Sequence, residues 1–194
     1  MTITGNLDLD AAIANTTSIS VSGTSNLGAN VTTSGTQTYT GATTLSGGDR
    51  TLTGSTMNFV STVAGGSNAL AISGNLDLDG AATGLTSLTV SGTSNLGANV
   101  TTSGIQTYTG ATTLSGGDRT LTGSTITITS TLAGGNNALV ITGDLEIDDD
   151  ATGLSTLSVS GTTDLGGDVT TSGTQTYTGA VTLSTGDRTL TGST

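Results

Sequence analysis

The 194-residue chain carries three arginines, no lysine and fourteen acidic residues; a formal net charge of −11 argues against a nucleic-acid partner, because phosphates are bound through lysine and arginine. Neither cysteine nor histidine occurs, which removes any disulfide framework and most zinc, haem and iron–sulfur chemistry. Only 9% of residues are charged and 2% aromatic, close to compositions that do not fold, so order has to be read from pattern.

The first pattern is Gly5-Asn6-Leu7-Asp8-Leu9, a period-two alternation that predicts a short strand with its carboxylates on one face. TQTYTGATTLSGGDRTLTGST (36–56) follows, with Tyr39 in a threonine-rich strand and Arg50 at the end of a Gly-Gly-Asp turn. Both return with a 69-residue period. The first recurs unchanged at Gly74 and as Gly-Asp-Leu-Glu-Ile at Gly143, and the second recurs from Ile105 and Thr174. Tyr39, Tyr108 and Tyr177 keep that spacing, as do Arg50, Arg119 and Arg188. The chain therefore reads as one continuous array of internal repeats, 5–73, 74–142 and an incomplete 143–194, with no insertion or deletion between copies.

Inside the second copy, LTSLTVSG (85–92), TITITS (125–130) and, entering the third, NALVITG (137–143) alternate apolar with small polar residues between Gly, Ser or Asn. Threonine and valine suit strands because branched side chains pack well on a pleated surface. Nothing reads as a helix. Small-residue bends at Ser73-Gly74, Ser91-Gly92, Thr109-Gly110, Ser130 and Thr142-Gly143 give steps of about 18, 18, 20 and 13, the size of coils in a solenoid whose turns stack about 4.8 Å apart. The expected fold is all-β, a parallel β-helix or β-solenoid with about four coils per 69-residue repeat, the last one short; three coils of about 23 residues also fit the period. Leu70, Ile72, Leu76, Leu78, Leu88, Val90, Ile126 and Ile128 would point inward as aliphatic ladders. Outward Thr and Ser avoid like charges one coil apart, glycine supplies corners, and proline is absent because nearly every N–H is wanted by the next coil.

NVTTSGTQTYTGATTL, DRTLTGST, STLAGGNNALVITG and GLTSLTVSGT, with TTSGTQTYTGAVTL (170–183) the most specific, resemble the repeats of giant bacterial surface and secreted adhesins of the filamentous-haemagglutinin-like class. That resemblance implies a right-handed parallel β-helix, export from a bacterial cell, and a role as shaft or adhesive stalk. It carries no catalytic residues to transfer.

Four groups are candidate sites. The pairs Asp49-Arg50, Asp118-Arg119 and Asp187-Arg188 are read first as charge pairs that fix a bend, with the arginines about 19 Å apart along a row at four coils per repeat; the functional reading is a contact row for a ligand or another filament. Alternating acids in NLDLD and DLEIDDD read first as a solvated face; Asp77, Asp79, Asp144, Glu146 and Asp148 are the weak calcium candidates, although their spacing matches neither an EF-hand nor a calcium-binding β-roll. Tyr39, Tyr108 and Tyr177 are expected to fill a wide coil with their hydroxyls satisfied by the Gln-Thr segment; stacking on a sugar is the alternative. Threonine runs raise ice binding, which needs a lattice regular from coil to coil. No nucleophile elbow or phosphate loop occurs, and nearly uniform coils leave no cleft for paired carboxylates, so no enzyme and no cofactor is expected.

The expected function is a structural or adhesive shaft segment of an extracellular bacterial fibre or giant surface protein. Its partners would be adjoining repeats of a longer chain, or copies of itself stacked head to tail or associated laterally. A glycan- or ice-binding module is the alternative, with host or surface glycans as ligands. No membrane insertion is expected, since no apolar run nears the roughly 20 residues a bilayer requires. MTITGNLDLD lacks the basic start and apolar core of a signal peptide, so an export signal would lie outside this sequence.

Overall fold

The computed structural model describes residues 1–184 and 186–193. They form a parallel β-solenoid of about ten coils, with no helix among the described residues. Three strand-lined faces make each coil. Thr2–Ile3, Ile19–Val21 and Gln37–Tyr39 stack on the first face, Leu7–Leu9, Ser25–Leu27 and Thr43–Leu45 on the second, and Ile13–Thr16 and Val31–Thr33 on the third. All pairings are parallel, and stacked coils are about 18 residues apart in sequence. Where the coil is wider, Arg50–Phe59 and Val63–Leu78 run as single strands around the corners.

Period-two alternation decides what goes inside. All eight residues expected to point inward are buried at 3% exposure or less. They belong to one core running the length of the solenoid, from Leu9 and Ile19 to Leu165 and Val169. The narrow core explains how a chain so poor in large apolar residues folds: each coil contributes only a few side chains, and each is covered above and below by its counterparts.

Corners are glycine where coils pass closely. Gly110 sits on Gly92, which sits on Gly74, and a Cβ at Gly110 would lie 2.5 Å from the Gly92 carbonyl oxygen. Gly74 itself has φ +146°, a conformation that side chains oppose.

The register refines the expected four coils per repeat. The third-face ladder runs Ile13, Val31, Leu52, Ile72, Val90, Tyr108, Ile128, Ile147, Leu165, Leu183. The second-face ladder runs Thr43, Val63, Ala82, Val100, Leu121, Ile141, Val159, Tyr177. Leu52 and its repeat counterpart Leu121 therefore stand on different faces, and one repeat amounts to three and two-thirds coils. The expected short fourth coil is two faces of an ordinary coil whose third face belongs to the next repeat. Each repeat is thus turned back by one face relative to the one before it.

Candidate functional site

The conspicuous side chains of each repeat are the Arg turn, the Gln-Thr-Tyr strand and the acidic edge. The turn at Ser46–Arg50 adds residues to the ordinary coil, and its Gly47 (φ +71°) and Gly48 (φ +125°) take left-handed conformations. Such a turn interrupts the regular ladder, and Arg50 supplies donors in its place. Its Nε donates to the Leu27 carbonyl one coil below at 3.0 Å and to Ser46 O at 3.1 Å, Nη2 also reaches Ser46 O, and Nη1 donates to Asp49 O at 2.9 Å. Arg119 repeats the arrangement on Leu96 O and Ser115 O, at 3.2 and 3.1 Å from Nε. Arg188 donates to Asp187 O and Ser184 O, each at 3.0 Å. On the coil above, Asn68 takes over: its Nδ2 donates to Gly65 O at 2.9 Å, with Leu45 O below at 3.5 Å.

These contacts correct the expected ion pair. Arg50 and Arg119 donate to carbonyl oxygens, whereas the adjacent acids accept backbone amides of the next coil, Asp49 from Ala69 N and Asp118 from Ala138 N, both at 2.8 Å. The bend is fixed, but by two separate clamps on the backbone. Nor do the three arginines form a row. They precede Leu52, Leu121 and Leu190, which lie on the third, second and first faces, so successive guanidinium groups are about 18 Å apart along the axis and a third of a turn apart around it.

Tyr39 and Tyr108 are core residues with 0% exposure, and Tyr177 is half-buried near the last coil. No aromatic row faces outward. In each repeat the hydroxyl donates to the glutamine two residues before it, at 2.9 Å for Tyr39–Gln37, Tyr108–Gln106 and Tyr177–Gln175. Gln106 Nε2 in turn donates to Thr122 O at 2.7 Å and Val100 O at 3.3 Å, closing a buried polar network where the wide coil passes a corner. Phe59 stacks on Tyr39 with ring centroids 5.3 Å apart.

Burial raises the Tyr177 hydroxyl to about 12 and pushes those of Tyr39 and Tyr108 higher still. In the unfolded chain these phenols ionise near 10, so the stability they confer is complete below about pH 10. It is lost as pH rises from there through about 12 for Tyr177, and over a longer range for the other two. Alkaline titration followed by tyrosinate absorbance should show the phenolate appearing together with loss of the β-sheet circular dichroism signal, well above pH 10. Ionisation near pH 10 with the sheet intact would contradict the burial.

The acidic edge divides by repeat. Asn26 Nδ2 donates to Asp8 Oδ1, and Asn95 Nδ2 to Asp77 Oδ1, both at 2.8 Å, forming amide–carboxylate steps between coils. In the third repeat the same step is Glu146 beside Asp164, two acids in register, and Asp164 Oδ1 has no hydrogen-bond partner among the described residues. Asp164→Asn restores the missing donor and should raise the unfolding free energy by about 0.5–1 kcal/mol. The gain, read from the denaturation midpoint, should shrink at high salt.

Among the remaining calcium candidates, Asp144 Oδ1 accepts Thr162 N at 2.7 Å, and Asp79 and Asp148 sit exposed with their amides bonded to Phe59 O and Ile128 O. Among the described residues, no three carboxylates come close enough together to hold a metal ion.

Comparison of the chain with family models, curated proteins and solved structures finds no match in any of the three. Functional inference therefore rests on the geometry of the repeat itself.

One surface feature escaped the sequence reading. A groove of about 450 Å³ lies between Asn15–Thr17 and Thr32–Ser34, and a counterpart of about 260 Å³ recurs one repeat later, between 84–86 and 101–103. Both follow a one-residue register slip: Ile13 pairs with Val31, but Thr16 pairs with Thr33, one position short of the same offset. Asn15 (φ 60°) takes the place that Gly84 and Gly153 (φ 65°) hold in the other repeats. Only the recurrence of Gly84-Leu85-Thr86 as Gly153-Leu154-Ser155, with Asn15-Thr16-Thr17 at the same place in the first repeat, could have signalled it. The threonine lattice needed for ice is broken: along one column Thr38 is followed by Asn58, Asp77, Asn95 and Thr113, and along another Thr127 by Glu146, Asp164 and Thr182.

Proposed function

We propose that this chain is a non-enzymatic structural shaft, a segment of an extracellular bacterial fibre or giant surface protein that gives length and stiffness. The observation that carries this reading is the continuous parallel ladder, in which the chemically conspicuous side chains are engaged with the solenoid's own backbone. Arg50 and Arg119 clamp carbonyls, Gln37 and Gln106 close the core network, and Asp49 and Asp118 accept amides of the coil above. A shaft has to resist bending and proteolysis, and paired backbone groups with few long loops serve both needs. Its outer surface is neutral threonine and serine between scattered acids, suited to an exposed, hydrated position.

Negative-stain microscopy with limited proteolysis tests this. The expected result is straight rods about 50 Å long per chain, from about ten coils at about 4.8 Å each, that resist protease under native conditions. Flexible or globular particles, or rapid cleavage inside the repeats, would overturn it.

A second reading, a binding module for neutral glycans, is favoured by one observation: a groove recurs at the same place in two successive repeats, lined by Asn15 and hydroxyl side chains in the first and by Leu85 with hydroxyl side chains in the second. Thr16→Val with Thr32→Val should then abolish retention on a polysaccharide column at unchanged stability. Unaltered retention, or none by the parent chain, would remove the groove from consideration.

A further inference from the structure

The register slip that opens the groove occurs once in every repeat. After Ile13–Val31, Ala82–Val100 and Ala151–Val169, the next pairs, Thr16–Thr33, Leu85–Thr102 and Leu154–Thr171, all fall one position short of the same offset. The second groove lies inside the stack, between a coil that carries Asn68 and one that carries Thr122. Leu85, 2% exposed, forms its floor, and Ser67, Thr86, Thr101 and Ser103 line it. The third repeat places Leu154, Ser155, Thr170 and Ser172 at the corresponding positions.

The lining fits a neutral sugar. Thr102 spends its hydroxyl on Gly104 O at 2.8 Å, but the hydroxyls of Thr86, Thr101 and Ser103 have no partner among the described residues. No charged side chain lines either groove, and a chain with net charge −11 whose arginines donate to its own carbonyls repels anionic polymers. An apolar floor under a few placed polar groups matches a sugar ring, which has a C–H face and a rim of hydroxyls. The walls are stacked segments of adjacent coils, so a polysaccharide strand in the groove crosses the shaft instead of following its axis.

The phase of the repeat sets where the grooves point. Ile13 and Val31 belong to the third face, Ala82 and Val100 to the second, and Ala151 and Val169 to the first, the face of Ile19, Gln37, Met57, Leu76, Ser94 and Thr112. Successive grooves are therefore about 18 Å apart along the axis and a third of a turn apart around it, and a face carries its next groove only about 53 Å further on. We propose that the grooves hold separate strands of neutral polysaccharide, one per repeat, so that the shaft cross-links a hydrated polysaccharide network from all its sides. The inference rests on the glycan reading of the groove and adds its geometry. A strand that leaves one groove runs off sideways, while the next groove faces another direction.

Light scattering of the full chain mixed with long-chain dextran or galactomannan, together with retention on columns of the same polysaccharides, tests this. The mixture with the polysaccharide that retains the chain should scatter well above the sum of its separate components. Thr32, Thr101 and Thr170 are equivalent and exposed, and isoleucine there suits a strand while removing the hydroxyl and narrowing the groove. Thr101→Ile with Thr170→Ile leaves one groove; that variant should still be retained, roughly 10²-fold more weakly, with scattering back at the sum. Adding Thr32→Ile should abolish retention and leave the circular dichroism spectrum unchanged. A parent chain that is retained without excess scattering, or a one-groove variant that cross-links as well as the parent, would overturn the separate-strand geometry and leave the glycan reading standing. No retention of the parent on either polysaccharide, or undiminished retention of the triple variant, would overturn both.

Discussion

Replacing Gln106 by leucine should lower the unfolding free energy by about 3 kcal/mol, the largest loss expected from any single polar residue in the chain. Gln106 is fully buried and joins four partners: its Nε2 serves the carbonyls of Thr122 and Val100 and, at 3.4 Å, the Thr102 hydroxyl, and its Oε1 accepts the Tyr108 hydroxyl. Leucine matches the volume but leaves the Tyr108 hydroxyl and the Val100 carbonyl in the core without that partner, and unmet buried groups cost about 1–3 kcal/mol each. Tyr108→Phe alone should cost about 1–2 kcal/mol, since it strips Gln106 Oε1 of its donor. The double variant should cost less than the sum, because the hydroxyl stranded by the first change is removed by the second. Urea denaturation followed by circular dichroism measures all three; strict additivity would show that the two side chains do not act as one network.

Arg119→Met should cost about 2–3 kcal/mol, because hydrogen bonds from a charged donor contribute about 1.5–3 kcal/mol and methionine keeps only the apolar stem. A solvent-exposed ion pair would contribute about 1 kcal/mol at most. Asp118→Asn separates the two accounts further. Asparagine keeps the oxygen that accepts Ala138 N, so carbonyl clamping predicts little change, whereas an Asp–Arg pair predicts a loss similar to that from removing the arginine. Amide hydrogen exchange around Ser115 and Leu139 should rise in Arg119→Met, since the turn and the coil above it lose their tie. A variant as stable as the parent would return the arginine to the solvent-facing role.

The two outcomes show how far the sequence reaches. Glutamine and tyrosine two residues apart lie on one side of a strand, so the partnership Gln106–Tyr108 was legible from alternation alone. The partners of Gln106 Nε2 were not, because Val100 and Thr122 come to it across a corner and from the neighbouring coil. Arg119 was misread for the same reason: Asp118 is adjacent in sequence, while Leu96 O is 23 residues away and reaches the guanidinium only when coils stack. The Asn95–Asp77 step is a third case, invisible until the 18-residue register sets the two side by side.

By itself the sequence determined the strand content, the inward ladders, the glycine corners and the 69-residue period, since each follows from local alternation or exact recurrence. Only the tertiary structure decided the phase between that period and the coil. The period does not contain a whole number of coils; three and two-thirds coils turn every repeat by one face, and residues that look like rows in sequence wind around the shaft. A coil closes where inter-strand hydrogen bonds and corner packing bring its third face home, and nothing in a repeat length requires that closure to coincide with it.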